Sequence, residues 1–154
     1  MTRTTLLALA ERVEAARVSD RTGLRNEVAL ATGWHRVEPR FTKSKHGAWI
    51  KPCDFIGVHS DGSPKLDSLH GTDMHREPPN FLESLDAAMS LVPSGWNIAT
   101  AAGQNDNGTW FSELRRGYRT SYDAVALSSL KCASPAHAQT AASLRAIAWS
   151  MTDD

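Results

Sequence analysis

The chain has 154 residues, of which 41% are hydrophobic and 22% are charged, a composition typical of one folded globular domain. Its 17 basic and 17 acidic residues cancel, which argues against the global attraction that draws strongly basic proteins to nucleic acid or anionic membranes. Cys53 and Cys132 lie outside any CxxC pair, which argues against a disulfide framework or a thiolate zinc site.

The N-terminal part predicts two amphipathic helices. Residues 4–17 and 21–32 carry apolar side chains at helical spacing: Leu6, Leu9, Ala10 and Val13 in the first, and Leu24, Val28 and Ala31 in the second. Thr4 or Thr5 can cap the first helix, and Gly33 ends the second. The initial apolar patch is too short for a signal peptide or a membrane span. We therefore expect the protein to stay in the bacterial cytoplasm and to have no membrane partner.

The middle of the chain, residues 35–80, predicts an irregular insertion within a single domain that spans residues 1–154. Glycines, prolines and charges become frequent there, and helical periodicity disappears. A β-prone run at residues 55–58 and a turn at Asp61-Gly62 predict a small hairpin, whose second arm Pro64 confines to an edge.

The C-terminal part predicts a helix, an antiparallel meander and a last helix. Residues 81–92 restore the helical period, and strands are expected at 96–100, 110–114 and 118–122, with a turn at Asn107-Gly108. Ser134-Pro135 predicts the start of an alanine-rich final helix. Of the five tryptophans, we expect at least three in the core and Trp149 partly exposed. The element order predicts an α+β fold with a small antiparallel sheet layered between helices.

Two stretches carry a family resemblance. The sequence SLDAAMSLVPSGW at residues 84–96, and ASPA at 133–136 running on to AASLRA at 141–146, resemble small bacteriophage and prophage proteins with an ABA (helix, sheet, helix) sandwich domain. LLALAERVEAA and ALATGW near the N-terminus are similar too. The resemblance covers residues 1–34 and 81–154, and it implies this fold and a phage origin. Such proteins generally carry no assigned activity, so no catalytic residue is transferred. His137 and Gln139 depart from the pattern, because the terminal helix of the family usually has apolar residues there.

The insertion contains a first candidate site, for a metal. Ligand-capable side chains are frequent in it: Cys53, Asp54, His59, Asp61, His70, Asp73 and His75. A set of His59, His70, Asp73 and His75 would suit zinc or another divalent ion in a metal-dependent hydrolase. No standard metal signature matches, and the alternative is a solvated loop in which aspartates cap turns.

A second candidate site combines cations with aromatic rings between residues 33 and 52. The segment contains one acidic residue, Glu38, and five basic residues, which are interleaved with aromatic ones. The basic residues are Arg36, Arg40, Lys43, Lys45 and Lys51, and the aromatic residues are Trp34, Phe41 and Trp49. Such a pattern suits a phosphate backbone with stacked bases, or an acidic protein surface. Arg115, Arg116 and Arg119 are candidates to extend it. The alternative is that the rings point inward and the cations only solvate a loop.

The sequence gives no sign of nucleotide or nucleophilic chemistry. It contains no GxSxG, GxGxxG or GxxxxGK[ST] motif, and we predict no cofactor. The leading hypothesis is a non-enzymatic accessory protein of phage or prophage origin that binds a host protein, such as a defence factor. Nucleic acid is the second possible partner. The proposed binding residues are Arg36, Arg40, Lys43, Lys45, Trp49 and Lys51. The alternatives are the metal-dependent hydrolase and a minor virion component.

Overall fold

The computed structural model describes residues 1–17, 21–67, 74–118 and 121–151. The protein is α+β, with 34% helix, 27% strand and small antiparallel sheets. Cα distances divide the chain into two compact units, Met1–Arg25 with Asn80–Asp154 as the first and Asn26–Pro79 as the second. The second unit nearly coincides with the predicted insertion at 35–80. No described helix combines the length and apolar character that a membrane crossing requires.

The elements follow the predicted order. In chain order they are α1 (Arg3–Ala15), α2 (Arg21–Ala31), β1 (His35–Val37), a 3₁₀ turn (Pro39–Phe41), β2 (Ala48–Ile50), β3 (Phe55–Val58), β4 (Pro64–Leu66), α3 (Leu85–Met89), β5 (Trp96–Gln104), β6 (Trp110–Tyr118), β7 (Ser121–Leu127) and α4 (Pro135–Ser150). Strands β1 and β2 pair, β3 pairs with β4, and β5, β6 and β7 form a three-stranded antiparallel sheet in that order.

Two predicted helix starts are wrong, for reasons that lie in the caps. The side chain of Thr2 accepts a hydrogen bond from the N–H of Thr5 at 3.2 Å, so α1 begins before the predicted caps Thr4 and Thr5. The hydroxyl of Ser84 accepts from the N–H of Ala87 at 3.2 Å, so α3 begins only at Leu85. The chain at 81–83 forms turns instead of the predicted helix.

The predicted meander and hairpin are confirmed, except that the third strand of the meander was placed wrongly at 118–122: Tyr118 still belongs to β6, and β7 begins at Ser121. Gly108 adopts a φ of 78°, as the predicted turn between β5 and β6 requires. In the second unit, Phe55 pairs with Leu66, and Pro64 is the first residue of β4, where a missing N–H does not interrupt a ladder. The tryptophan prediction also holds: Trp34, Trp49 and Trp96 are buried, whereas Trp149 is 47% exposed.

Helix α4 occupies the centre of the first unit. It contacts β5, β6 and β7 of the sheet, and it also contacts α1 and α3. Every residue from 136 to 144 is buried. A helix without a polar face needs partners all round, and small side chains let those partners approach closely. The contacts place α4 between the sheet and the other helices; they do not confirm the expected sandwich, in which helices cover both faces of the sheet.

Buried polar side chains on α4 are held by hydrogen bonds. The Ser134 hydroxyl, which caps the helix, lies 2.5 Å from Nδ1 of His137. The Gln139 amide lies 2.5 Å from the Ser112 hydroxyl on β6, and the Thr140 hydroxyl donates to the carbonyl oxygen of Phe81 at 2.7 Å. A buried polar group is costly unless it is bonded. His137 and Gln139 are therefore accommodated inside the core.

An ion pair fastens α1 to α4. The Glu14 carboxylate accepts from the Arg145 guanidinium at 2.8 Å and from the N–H of Ser129 at 2.7 Å. The two side chains are only 10% and 27% exposed, so solvent screens the pair less than it screens a surface pair. Replacing one partner alone would leave the other charge poorly solvated.

The tight packing around α4 generates a stability prediction. Ala142 has no exposed surface and packs with Trp96 and Leu114, so Ala142→Leu should lower the free energy of unfolding by about 1–3 kcal/mol through overpacking. The matched control is Ala8→Leu on the exposed face of α1, which should change it by less than about 0.5 kcal/mol. Urea denaturation measures both. Equal effects of the two substitutions would contradict the close packing of α4.

Candidate functional site

The predicted basic and aromatic residues lie on two short strands and the connection between them. In the second unit, β1 and β2 pair antiparallel with Arg36 opposite Trp49. Val37, Ala48 and Ile50 form the core of this unit, with Phe41, Phe55 and Leu66 packed against it. The connection consists of the 3₁₀ turn and residues 42–47. We call residues 42–47 the basic loop. The core therefore holds both ends of the basic loop.

Hydrogen bonds fix the course of the basic loop. The Thr42 hydroxyl accepts from the N–H of Ser44 at 2.9 Å, and the N–H of Gly47 donates to the carbonyl oxygen of Ser44 at 3.2 Å. Gly47 has a φ of 78°, and a Cβ atom there would collide with the carbonyl oxygen of Val37. Only glycine fits this close approach. Lys43 and Lys45 are therefore exposed on a loop of defined shape.

The predicted cations are exposed, but they are not equivalent. Arg36, Lys43, Lys45 and Lys51 are all exposed. Arg40 forms an ion pair with Glu38 at 2.7 Å, and its guanidinium lies 4.5 Å from the Phe41 ring centroid. Because both partners are about two-thirds exposed, at 66% and 65%, this pair adds little to stability. It compensates the charge of Arg40, so the excess positive charge comes from the other cations.

Trp49, a residue of the predicted binding set, is a core residue. It is 5% exposed, and the Arg36 guanidinium lies 5.8 Å from its ring centroid. Its N–H and carbonyl groups both bond to the backbone of His75, each at 2.7 Å. Strand β2 is thus paired on both sides, by β1 and by His75, which is why all three of its residues are buried. The Trp49 ring is not available to stack on a base from solution.

Trp34 is likewise 9% exposed, and its ring makes an edge contact with the His75 ring, with centroids 5.6 Å apart. Phe41 is partly buried against the core. The rings of Trp34 and Trp49 therefore point inward, as the alternative interpretation of this segment predicted. The exposed cations have no exposed tryptophan between them.

A groove lies beside the basic loop. It has a volume of about 430 Å³, and its lining includes Phe41, Lys43, Met74 and Arg76. Met74 is 38% exposed, so the groove combines apolar side chains with two cations. Sequence reasoning missed Met74 and Arg76, because they are distant from the basic loop in the chain and only the fold brings them beside it.

The predicted metal ligands are only partly described. His59 lies in the β3–β4 turn and His75 in the bridge to β2, whereas His70 and Asp73 lie outside the described residues. Across residues 1–17, 21–67, 74–118 and 121–151, no group of three or more His, Cys, Asp or Glu side chains is placed to hold a metal ion.

Asp61 has a structural role that the sequence analysis gave as the alternative to metal binding. Its carboxylate accepts hydrogen bonds from the hydroxyl of Ser63 at 2.6 Å and the N–H of Ser63 at 2.9 Å. These bonds, with a smaller contribution from His59, lower the pKa of Asp61. Asp61 therefore caps the β3–β4 turn.

Neither cysteine forms a disulfide. Cys53 is exposed and lies 3.6 Å from an oxygen of Asp54, whereas Cys132 is buried in the first unit. Burial raises the pKa of Cys132 to about 11, so its thiol stays protonated near neutral pH.

The arginines proposed to extend the basic patch lie in the first unit or outside the described residues. On β6, Arg115 pairs with Glu113 at 2.5 Å and Arg116 pairs with Asp123 at 3.2 Å. Arg119 is not among the described residues. The charges of the two described arginines are thus compensated locally.

Comparison with known proteins finds no matching family model, no similar curated protein and no similar solved structure. The resemblance to phage proteins with a sandwich domain stays a prediction.

His35, on strand β1 of the candidate site, generates a pH prediction. The His35 ring stacks on the Phe55 ring, with centroids 3.9 Å apart and an interplanar angle of 8°, and burial lowers the pKa of His35 below its ordinary value of 6.5. The unfolded chain then binds a proton more readily than the folded one. Stability should therefore fall as the pH drops through about 6.5 and level off below the lowered pKa.

The variant His35→Phe keeps the stacked ring and removes the titration. Urea denaturation between pH 7.5 and 5 should show a smaller loss of stability for His35→Phe than for the wild type. The difference between the two curves isolates His35 from the other titrating groups. Parallel curves would show that protonation of His35 is not coupled to folding.

Proposed function

We propose that this protein is a non-enzymatic accessory protein that binds an acidic surface of another protein through its second unit. The binding residues of this proposal are Arg36, Arg40, Lys43, Lys45 and Lys51, with Trp49 as the buried support beneath Arg36. The observation that carries it is the set of exposed cations around a loop of fixed shape, next to a groove with apolar side chains. The phage or prophage origin, the family sandwich and a host protein as target rest on the resemblance alone.

The burial of the indoles favours a protein over a single-stranded nucleic acid. Stacking on aromatic rings contributes about 1–3 kcal/mol per base in single-strand binding. Trp34 and Trp49 are 9% and 5% exposed and offer no open ring face. With a net charge of zero over the chain, the remaining affinity for a phosphate backbone would depend on a few lysines and arginines.

The groove gives the proposed interface its apolar part. Protein interfaces combine an apolar centre with a polar rim, and they are enriched in Met, Arg and aromatic residues. Phe41, Met74 and Arg76 supply these residue types in the groove. Lys43 and Lys45 then act at the rim, where charges mainly speed association with a partner of opposite charge. A segment with carboxylates around one apolar side chain would match this arrangement.

The hydrolase alternative gains no support from the described residues. Of its four ligands, His70 and Asp73 lie outside the described ranges, and His59 and His75 belong to no group of three or more His, Cys, Asp or Glu side chains placed to hold a metal ion among the described residues. No described feature favours a minor virion component. That hypothesis and the hydrolase both stay predictions.

The proposal predicts that binding depends on where charge is removed, not only on how much. The test variant is the triple Lys43→Ser, Lys45→Ser and Lys51→Ser. The matched control is Arg17→Ser, Lys65→Ser and Lys131→Ser, which removes equally many exposed cations elsewhere. Wild-type protein first captures partners from nuclease-treated bacterial lysate, and association with the purified partner is then measured for all three proteins.

The test variant should associate about tenfold more slowly than the wild type at low salt, and the control should not. The difference should shrink at about 0.5 M salt, because salt screens exposed charges. If both variants bind equally well, the basic loop is not the interface. Labelled single-stranded and duplex DNA form a separate arm, and binding of DNA that only the test variant loses would replace the protein partner with nucleic acid.

A further inference from the structure

The three-stranded sheet of the first unit carries a cavity on the face that points away from α4. Leu114 of β6 packs with Ala142 of α4. Successive side chains of a strand point to opposite faces, so Glu113 and Arg115 point away from α4. The cavity has a volume of about 630 Å³, and none of the described residues that line it belongs to α4. Small-molecule sites have volumes of roughly 300–1,000 Å³, so this cavity has the size of a ligand site.

The lining of this cavity combines one cation with polar and apolar groups. Arg115 and its cross-strand partner Asn97 supply hydrogen-bonding side chains. The ring of Tyr122, which is 47% exposed, supplies apolar surface. No aspartate or glutamate is among the described residues that line the cavity. The cavity therefore favours a ligand with negative charge over one with positive charge.

Two neighbours hold the guanidinium of Arg115 in place. Its Nε donates to the Glu113 carboxylate at 2.5 Å, and its central carbon lies 4.9 Å from the Tyr122 ring centroid. Hydrogen bonds to Glu113 and to Tyr122 raise the pKa of Arg115. A guanidinium has five N–H donors. Within the described ranges Arg115 has no other partner, so donors on its terminal nitrogens remain for a ligand.

We propose that this cavity binds a small organic acid. The carboxylate of the ligand accepts hydrogen bonds from the terminal nitrogens of Arg115, and its apolar body lies against the ring of Tyr122. A planar carboxylate has two acceptor oxygens that match the fork of a guanidinium, whereas a neutral amide has only one. The site lies in the first unit, and it does not depend on the protein partner proposed for the second unit.

The ion pair with Glu113 limits the affinity of the site. The side chains of Arg115 and Glu113 are 37% and 20% exposed, and Glu113 already offsets the charge of Arg115. Binding therefore depends on directional hydrogen bonds and apolar contact more than on attraction at a distance. We expect a dissociation constant of about 1 mM for a simple aromatic acid.

NMR titration of the isotope-labelled full chain tests the proposal, with phenylacetate as the probe and phenylacetamide as its neutral counterpart. Phenylacetate should shift the amide signals of Asn97, Arg115 and Tyr122, and it should bind at least about tenfold more tightly than phenylacetamide. Arg115→Gln should weaken binding of phenylacetate by at least about tenfold and remove this preference. Asn97→Trp fills the cavity but keeps the pair of Arg115 with Glu113. It should also abolish binding, and it decides the matter if Arg115→Gln does not fold.

The matched control is Arg116→Gln. Arg116 is the next residue of β6, its side chain is also 37% exposed, and it also forms an ion pair, with Asp123 at 3.2 Å. It projects from the other face of the sheet, so this variant should bind phenylacetate as the wild type does. The proposal would be overturned if roughly 10 mM phenylacetate shifted none of the three signals. Equal affinity for the acid and the amide, or equal weakening by Arg115→Gln and Arg116→Gln, would also overturn it.

A short peptide that ends in phenylalanine, with a free or an amidated C-terminus, identifies the source of the carboxylate. Tighter binding of the free-ended peptide than of phenylacetate would support the site and assign the carboxylate to the end of a chain. Weaker binding of that peptide would support the site as one for a free acid.

Discussion

The burial of α4 on all sides is the constraint on which the first unit depends. Residues 136–144 have no exposed face, so the sheet, α1 and α3 must each supply an apolar surface to this helix. The helix can be surrounded because it is built mainly of alanine, serine and threonine, which keep the interaxial distances short. The buried apolar residues of α1 lie on a helix that packs against α4. The polar groups inside α4 then require partners, and Ser112 and the carbonyl oxygen of Phe81 provide them.

The second unit is organised differently, around short strands instead of a buried helix. The indole of Trp49 and its two backbone bonds to His75 hold β2 between neighbours, and the small core of Val37, Ala48 and Ile50 fixes the ends of the basic loop. The cations stay outside because long charged side chains are poorly accommodated in so small a core. An anchored loop with exposed charge limits the entropy lost on binding, since little backbone remains to be ordered.

Local signals in the sequence predicted α1, α4, the meander and the β3–β4 hairpin, because caps, turns and periodicity act between near neighbours. The same signals misplaced the start of α3, where the cap at Ser84 prevails over an apolar pattern that begins at Phe81. Long-range pairings were not predictable. Trp49 was predicted to bind, but its bridge to His75 places its ring in the core. Met74 and Arg76 line the groove, and no local pattern in the sequence indicates this.

Native-state hydrogen exchange tests the central position of α4 most directly. If α4 is the helix that its neighbours enclose, its amides from Ala138 to Ala148 should exchange only when the whole first unit unfolds. Their exchange should then follow the free energy of unfolding measured with urea, whereas the short helix α3 and the basic loop should exchange through local opening. Exchange of α4 as fast as that of α3 would contradict the account.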